Sequence, residues 1–144
     1  MDKFDGLKLE NQLCFPLYAA SREVIKRYRP FLDGLDLTYT QYIAMMVFWD
    51  ERKINVKELG RRLFLDSGTL TPVLKSLEAK GYVRRYRSAE DERVLIVEIT
   101  DKGDALKDKA VSVPQQMAGC VRLTHEEAMQ LHALLCKVLA GMDE

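Results

Sequence analysis

Asp66-Ser-Gly-Thr-Leu-Thr-Pro72 opens a run that carries Val73, Leu74 and Leu77 at helical spacing, stops at Gly81, and passes directly into Tyr82-Val-Arg-Arg-Tyr-Arg87. Asp66 has the side chain of a helix N-cap, and Gly81 stands where a helix ends in the left-handed conformation. A polar tip, Ser88-Ala-Glu-Asp-Glu-Arg93, then separates that basic strand from the β-branched run Val94-Leu-Ile-Val-Glu-Ile-Thr100, which is how a hairpin reads. A capped helix with a small polar outer face, backed by a basic hairpin, fits few architectures. The expectation is a winged helix-turn-helix with the hairpin as wing, and its expected partner is operator duplex DNA.

The flanks support that placement. Asn55 caps a helix over Val56 to Leu63, with Glu58 at the third helical position as in a capping box, and Phe64-Leu65 turns into the Asp66 cap. Thr38 caps Tyr39 to Trp49, a segment apolar nearly all round and therefore expected inside the core. Leu9 to Arg29 has helical spacing through Leu13, Leu17, Ala20, Val24 and Tyr28. Pro16 within it implies either a regular helix that begins near Cys14 with Pro16 in its first turn, or a kink; the late start is preferred, with an end at Pro30. After the hairpin, Asp101 is a candidate cap for a helix from Lys102, Pro114 and Gly119 interrupt the chain, and Thr124-His-Glu-Glu127 is a capping box for a last helix.

That last helix carries a wide stripe of Leu131, Leu134, Leu135, Val138, Leu139 and Met142. Apolar stripes at both ends, outside the winged helix, predict burial against a second copy of the chain, and a homodimer suits palindromic DNA. The expected fold is mainly α with a small β-hairpin wing (α+β), one domain over residues 1–144. Within it, residues of about 8–51 and 101–144 form dimerisation and sensor helices, and about 52–100 form the DNA-binding lobe. No repeat or low-complexity linker divides the chain.

A formal net charge of zero first argues against a nucleic-acid binder, because phosphate contacts dominate affinity. The distribution answers this: residues 52–93 hold eleven basic side chains against six acidic ones, a local charge of +5 balanced by −5 elsewhere. No apolar run approaches the roughly 20 residues of a membrane helix, and the first residues lack a signal-peptide layout, so no membrane partner and a cytoplasmic location are expected. Ser67, Gly68, Thr69, Thr71 and Lys75 form the outward face for the major groove, where hydroxyls can bond phosphates or base edges and Gly68 allows close backbone approach. Arg85 belongs to the basic strand. Arg93 at the wing tip can enter a narrow minor groove, with Asp91 holding its guanidinium in place.

Asp66-Ser-Gly-Thr-Leu-Thr-Pro72, Asp91-Glu-Arg93 and the helical flanks resemble the MarR family of dimeric winged-helix repressors. More narrowly, Leu9-Glu-Asn-Gln-Leu-Cys-Phe15, Leu17-Tyr18 and Leu37-Thr-Tyr-Thr-Gln-Tyr42 resemble its organic-hydroperoxide-sensing branch, OhrR, over nearly the whole chain. The resemblance implies that Cys14 is the redox sensor and that Tyr28 and Tyr39 hydrogen-bond its thiolate, as donors from either subunit. It also makes Cys120 a candidate resolving thiol for an intersubunit disulfide; a low-molecular-weight thiol capping Cys14 is the alternative. The chemistry agrees: a thiolate attacks the peroxide oxygen, so the site must stabilise that anion and admit an apolar peroxide. Phe15, Met45 and Met46 either line that approach or simply pack. Thr40, where the branch commonly has proline, and Pro16, close after the cysteine, depart from its pattern.

Two other functions stay open at this point. One is a repressor of the same family released by a small phenolic ligand without thiol chemistry. The other is a thiol peroxidase, which leaves the basic patch and wing unexplained. His125, His132 and Cys136 share a helical face but offer no evident fourth ligand, so no metal is expected; Cys136 reads as packing. Without a phosphate loop, nucleophile elbow or paired catalytic carboxylates, neither a cofactor nor an enzymatic activity is expected.

Overall fold

A computed structural model describes residues 2–142. In chain order the elements are α1 (Cys14–Asp33), α2 (Tyr39–Glu51), β1 (Lys53–Asn55), α3 (Val56–Leu63), α4 (Ser67–Ala79), β2 (Val83–Arg87), β3 (Leu95–Ile99), α5 (Asp101–Ala105), α6 (Lys107–Ala110), α7 (Val113–Ala118) and α8 (His125–Met142). Two short 3₁₀ turns, Asp5–Leu7 and Leu9–Asn11, precede α1. The architecture is mainly helical with one small antiparallel sheet, as the sequence leads one to expect.

Local hydrogen bonding explains most of the boundaries. Thr38 accepts from the Gln41 N–H while the Gln41 side chain accepts from the Thr38 N–H, a complete capping box at α2. Asp66 accepts from the Thr69 N–H at 2.7 Å, and Thr124 and Glu127 cap the start of α8 reciprocally. Gly81 takes φ 82°, where a Cβ is strained, and this lets α4 stop and β2 begin. Asn55 forms half a box: it accepts from the Glu58 N–H, but the Glu58 carboxylate turns to Arg61.

Three boundaries differ from expectation. α1 continues through Pro30 to Asp33. An internal proline costs about 3 kcal/mol, but the extra turn buries Leu32 and leads to buried Leu35, each worth about 1.5–3 kcal/mol at full burial. The cap of α5 is Thr100 rather than Asp101, since the Thr100 hydroxyl accepts from the Gly103 N–H and also lies 2.6 Å from the Gly81 carbonyl. Finally, the wing is no isolated hairpin. β1 pairs with β3 in the strand order β1-β3-β2, with Ile54 opposite Val97 and Val83 opposite Ile99.

The core is centred on α2. Phe48, Met45 and Ala44 are fully buried and join Leu59 of α3, Leu70, Leu74 and Leu77 of α4, Val83 and Val97 of the sheet, and Val113 of α7. Met46 is the apolar exception on α2, 45% exposed. In contrast α8 buries none of its described residues, and Leu131, Leu134, Val138, Leu139 and Met142 all face outward. Leu13, Phe15, Leu17, Val24 and Ile25, in and just before α1, are likewise exposed. No helix of the described residues is long and apolar enough to cross a membrane.

Candidate functional site

The face that the sequence leads one to expect against DNA is assembled from α4 and the wing. Leu70, Val73, Leu74 and Leu77 point into the core, which leaves Ser67, Gly68, Thr69, Thr71 and Lys75 exposed along one side of the helix. Thr71 donates its hydroxyl to the Ser67 carbonyl at 2.7 Å and so keeps only lone pairs for an incoming donor. A Cβ at Gly68 would meet only the Asp66 carboxylate, at 3.4 Å, so its open surface is available for close approach. Asp66, held below the ordinary carboxylate range by hydrogen bonds from Thr69 and Gly68, stays ionised as the cap.

The wing is organised around two ion pairs of different character. Asp91 accepts from the Arg93 backbone N–H at 3.0 Å and from Nε and Nη2 along one edge of the Arg93 guanidinium, at 3.1 and 3.2 Å. The hydrogen bonds from Arg93 hold the Asp91 carboxyl low, and the Arg93 side chain remains 88% exposed, splayed but oriented at the tip. Arg85 is different. Its guanidinium and its own N–H are bound by Glu78 of α4, at 3.0 Å for each of the closest contacts. Expected from the sequence among the DNA-contacting residues, Arg85 fastens β2 to α4 and is largely covered. Arg87 and Lys75 are exposed with no ion-pair partner among the described residues, whereas Arg52, Arg62 and Arg84 pair with Asp104, with Asp50 and Glu51, and with Glu98. Exposed pairs of this kind are weakened by solvent and salt, so phosphates can displace the acidic partners.

The sensor candidates lie on α1 and the first turn of α2. Cys14 is the first residue of α1, exposed, with Pro16 in the first turn and Tyr18 one turn further along the same face. Tyr28 and Tyr39 stand together elsewhere, with ring centroids 4.9 Å apart. Tyr42 completes the cluster at 5.8 Å from Tyr28, and Trp49 continues it at 6.5 Å from Tyr42. Burial pushes all three phenols above their ordinary 10.0, aided for Tyr28 and Tyr42 by neighbouring phenols, so each remains a protonated donor at neutral pH. Fourteen residues of one helix separate Cys14 from Tyr28, or about 21 Å at 1.5 Å per residue. The thiol and the phenols of one chain therefore cannot touch.

Other candidates fall into place more simply. Met45 lies in the core and lines no access route, while Phe15 and Met46 are exposed. Cys120 is exposed just after α7, its Sγ 3.6 Å from the Gln116 carbonyl. Cys136 is exposed rather than packed, 3.8 Å from the His132 ring, and no three potential ligands converge among the described residues. Sequence reasoning did not single out the roles of Tyr42 and Gln41. Tyr42 was visible as part of the apolar run of α2 and, with Gln41, inside the Leu37-Thr-Tyr-Thr-Gln-Tyr42 motif.

The comparisons with known proteins bear on the family and the fold. A family model described as transcriptional regulator SarA/Rot matches residues 25–110. The organic hydroperoxide resistance transcriptional regulator of Bacillus subtilis is 48% identical over 143 residues, covering 99% of this chain and 97% of the relative. Among solved structures, AbfR of Staphylococcus epidermidis bound to DNA in its reduced and overoxidised forms superposes with a TM-score of 0.78 in both cases. It is 34% and 33% identical, covering 99% and 98% of this chain and 100% and 99% of the two AbfR chains. A mutant MarR of Escherichia coli complexed with operator DNA has a TM-score of 0.78 at 26% identity, covering 96% of this chain and 99% of its own.

Proposed function

The chain belongs to the MarR family of winged-helix transcriptional regulators, in its organic-hydroperoxide branch, and we propose that it is a homodimeric repressor whose reduced form binds operator DNA and whose release follows oxidation of Cys14 by an organic hydroperoxide. The observation that carries this reading is the separation of thiol from phenols within one chain. Two apolar arms lie bare where a second copy would pack, and only a partner subunit can bring Tyr28 and Tyr39 to Cys14. In that arrangement two protonated phenols and the first turn of α1 stabilise the thiolate without supplying a competing cation.

Attack of the thiolate on the peroxide oxygen breaks the O–O bond, leaves a sulfenic acid on Cys14 and expels the alkoxide, which is protonated to the alcohol. A second thiol then displaces water from the sulfenic acid to form a disulfide. Cys120 of the partner subunit or a low-molecular-weight thiol fills that role. AbfR has been solved on DNA in both reduced and overoxidised forms, which favours a disulfide, rather than further oxygenation, as the releasing species here. Loss of the Cys14 to tyrosine contacts would alter the spacing of the two α4 helices, and both half-sites must be met together. Ser67, Gly68, Thr69, Thr71 and Lys75 would read or grip the major groove, and Arg93, aimed by Asp91, the minor groove.

The test is anisotropy on DNA flanking the protein's own gene, with freshly reduced wild type and Cys14→Ser challenged by one equivalent of cumene hydroperoxide or hydrogen peroxide. Release of wild type alone, and preferentially by the organic peroxide, is expected. A Cys14→Ser protein that still releases DNA would overturn the thiol mechanism and favour control by a non-covalent ligand.

A further inference from the structure

Apart from the Tyr42 phenol, Gln41 is the only polar side chain among the buried described residues, 7% exposed, and both polar atoms of its carboxamide head are engaged. Its Oε1 accepts from the Thr38 N–H and from the Lys80 ammonium, both at 3.1 Å, and its Nε2 donates to Ser76 Oγ at 2.9 Å. Lys80 also donates to the Asp36 carbonyl and lies 3.7 Å from the Asp36 carboxylate. Ser76 and the Lys80 cap belong to the C-terminal half of α4, so one amide ties the first turn of α2, and the loop before it, to the recognition helix.

The first turn of α2 also carries Tyr39. Tyr39 and Gln41 are its first and third residues, about 200° apart around the helix axis. One side chain accordingly faces the Tyr28 ring of α1 while the other faces α4. We infer that Gln41 is a positioning residue that relays movement of the tyrosine site to the recognition helix. This inference rests on the redox reading above and adds a route to it. When Tyr39 loses its thiolate partner, the capped turn shifts as a unit. Because parting from Ser76 would leave the buried amide Nε2 without its acceptor, α4 follows.

Ser76→Ala removes the hydroxyl limb of the link from the α4 side and leaves the α2 capping box and the Lys80 contact intact; Gln41→Met removes the whole amide, and with it both limbs, at similar volume; Ser76→Thr keeps the hydroxyl. For each folded dimer, thermal melting is recorded first. DNA affinity is then measured for reduced and cumene-hydroperoxide-treated protein, and Cys14 oxidation is timed by quenched mass spectrometry. The relay predicts wild-type oxidation rates and reduced-state affinities within about threefold of wild type throughout, but a ratio of reduced to oxidised affinity that shrinks roughly tenfold or more in Ser76→Ala and Gln41→Met and survives in Ser76→Thr. A ratio unchanged in Ser76→Ala and Gln41→Met, with wild type still releasing DNA, overturns the relay alone. Wild type whose Cys14 has been converted to a disulfide yet keeps its DNA overturns the redox reading and the relay with it.

Discussion

Gly103→Ala offers the sharpest structural test, because the space for a methyl group at that position is measurable. A Cβ there would lie 2.2 Å from the Tyr82 carbonyl oxygen and 2.9 Å from Ile99 Cγ1, so backbone must move by close to 1 Å. The same carbonyl accepts from the Thr100 N–H at 3.0 Å and from the Thr100 hydroxyl at 3.0 Å, and Gly103 itself accepts from Trp49 Nε1 at 2.9 Å. Overpacking at about 1–3 kcal/mol, plus two weakened hydrogen bonds at about 1 kcal/mol each, less about 1 kcal/mol for the better helix former, leaves a net loss of about 2–4 kcal/mol. For a chain of this size that lowers Tm by roughly 5–15 °C. Gly34→Ala is the control: its φ is −65° and no atom lies within 4 Å of the added methyl, so Tm should hold or rise slightly. Calorimetry on the pair decides the matter. A Gly103→Ala protein melting within about 2 °C of wild type would refute the tight approach of α5 to the base of the wing.

Arg85 holds the Glu78 carboxyl below its ordinary 4.5, through side-chain and backbone hydrogen bonds. A depressed folded-state value means stability that is present above the unfolded value and lost as pH falls through the folded one, so Glu78→Gln should be less stable than wild type at pH 7 and converge with it in acid, as denaturant melts across pH will show. Arg93→Ala should weaken DNA binding and reduce the salt slope of log K by about 0.9 for each phosphate no longer neutralised, roughly 2 for a dimer; an unchanged slope in anisotropy titrations would remove Arg93 from the interface. Cys120→Ser should still lose its Cys14 thiol to peroxide but form no intersubunit disulfide on non-reducing gels, only a mixed disulfide when a small thiol is supplied. A disulfide-linked dimer without Cys120 would assign the resolving role elsewhere.

Much of the fold was legible because its punctuation is local. Thr38, Asn55, Asp66 and Thr124 each satisfy a backbone N–H three residues ahead, and Gly81 carries a φ that only glycine adopts easily. What escaped was decided at a distance. β1 is three residues long with one apolar side chain, and it exists because Lys53 to Asn55 find β3, more than forty residues later. Thr100 and Asp101 are both good caps, and the Gly81 and Tyr82 carbonyls arriving beside Thr100 settle the choice. Arg85 reads as one more cation of a basic strand until Glu78 of α4 is placed against it. The proposed sensor was legible as a set of residues, Cys14, Tyr28 and Tyr39, but not as a place. Its members sit on separate parts of one chain, and the chemistry they imply needs two.

The central claim is best tested by following two signals in one sample. Peroxide is titrated in substoichiometric steps into the DNA-bound reduced dimer, with anisotropy recorded at each step and the Cys14 state read by peptide mass spectrometry on quenched aliquots. DNA release that advances in step with conversion of Cys14 to a disulfide is the predicted result. Cys14 fully converted with DNA still bound, or DNA lost while the Cys14 thiol is intact, would contradict it.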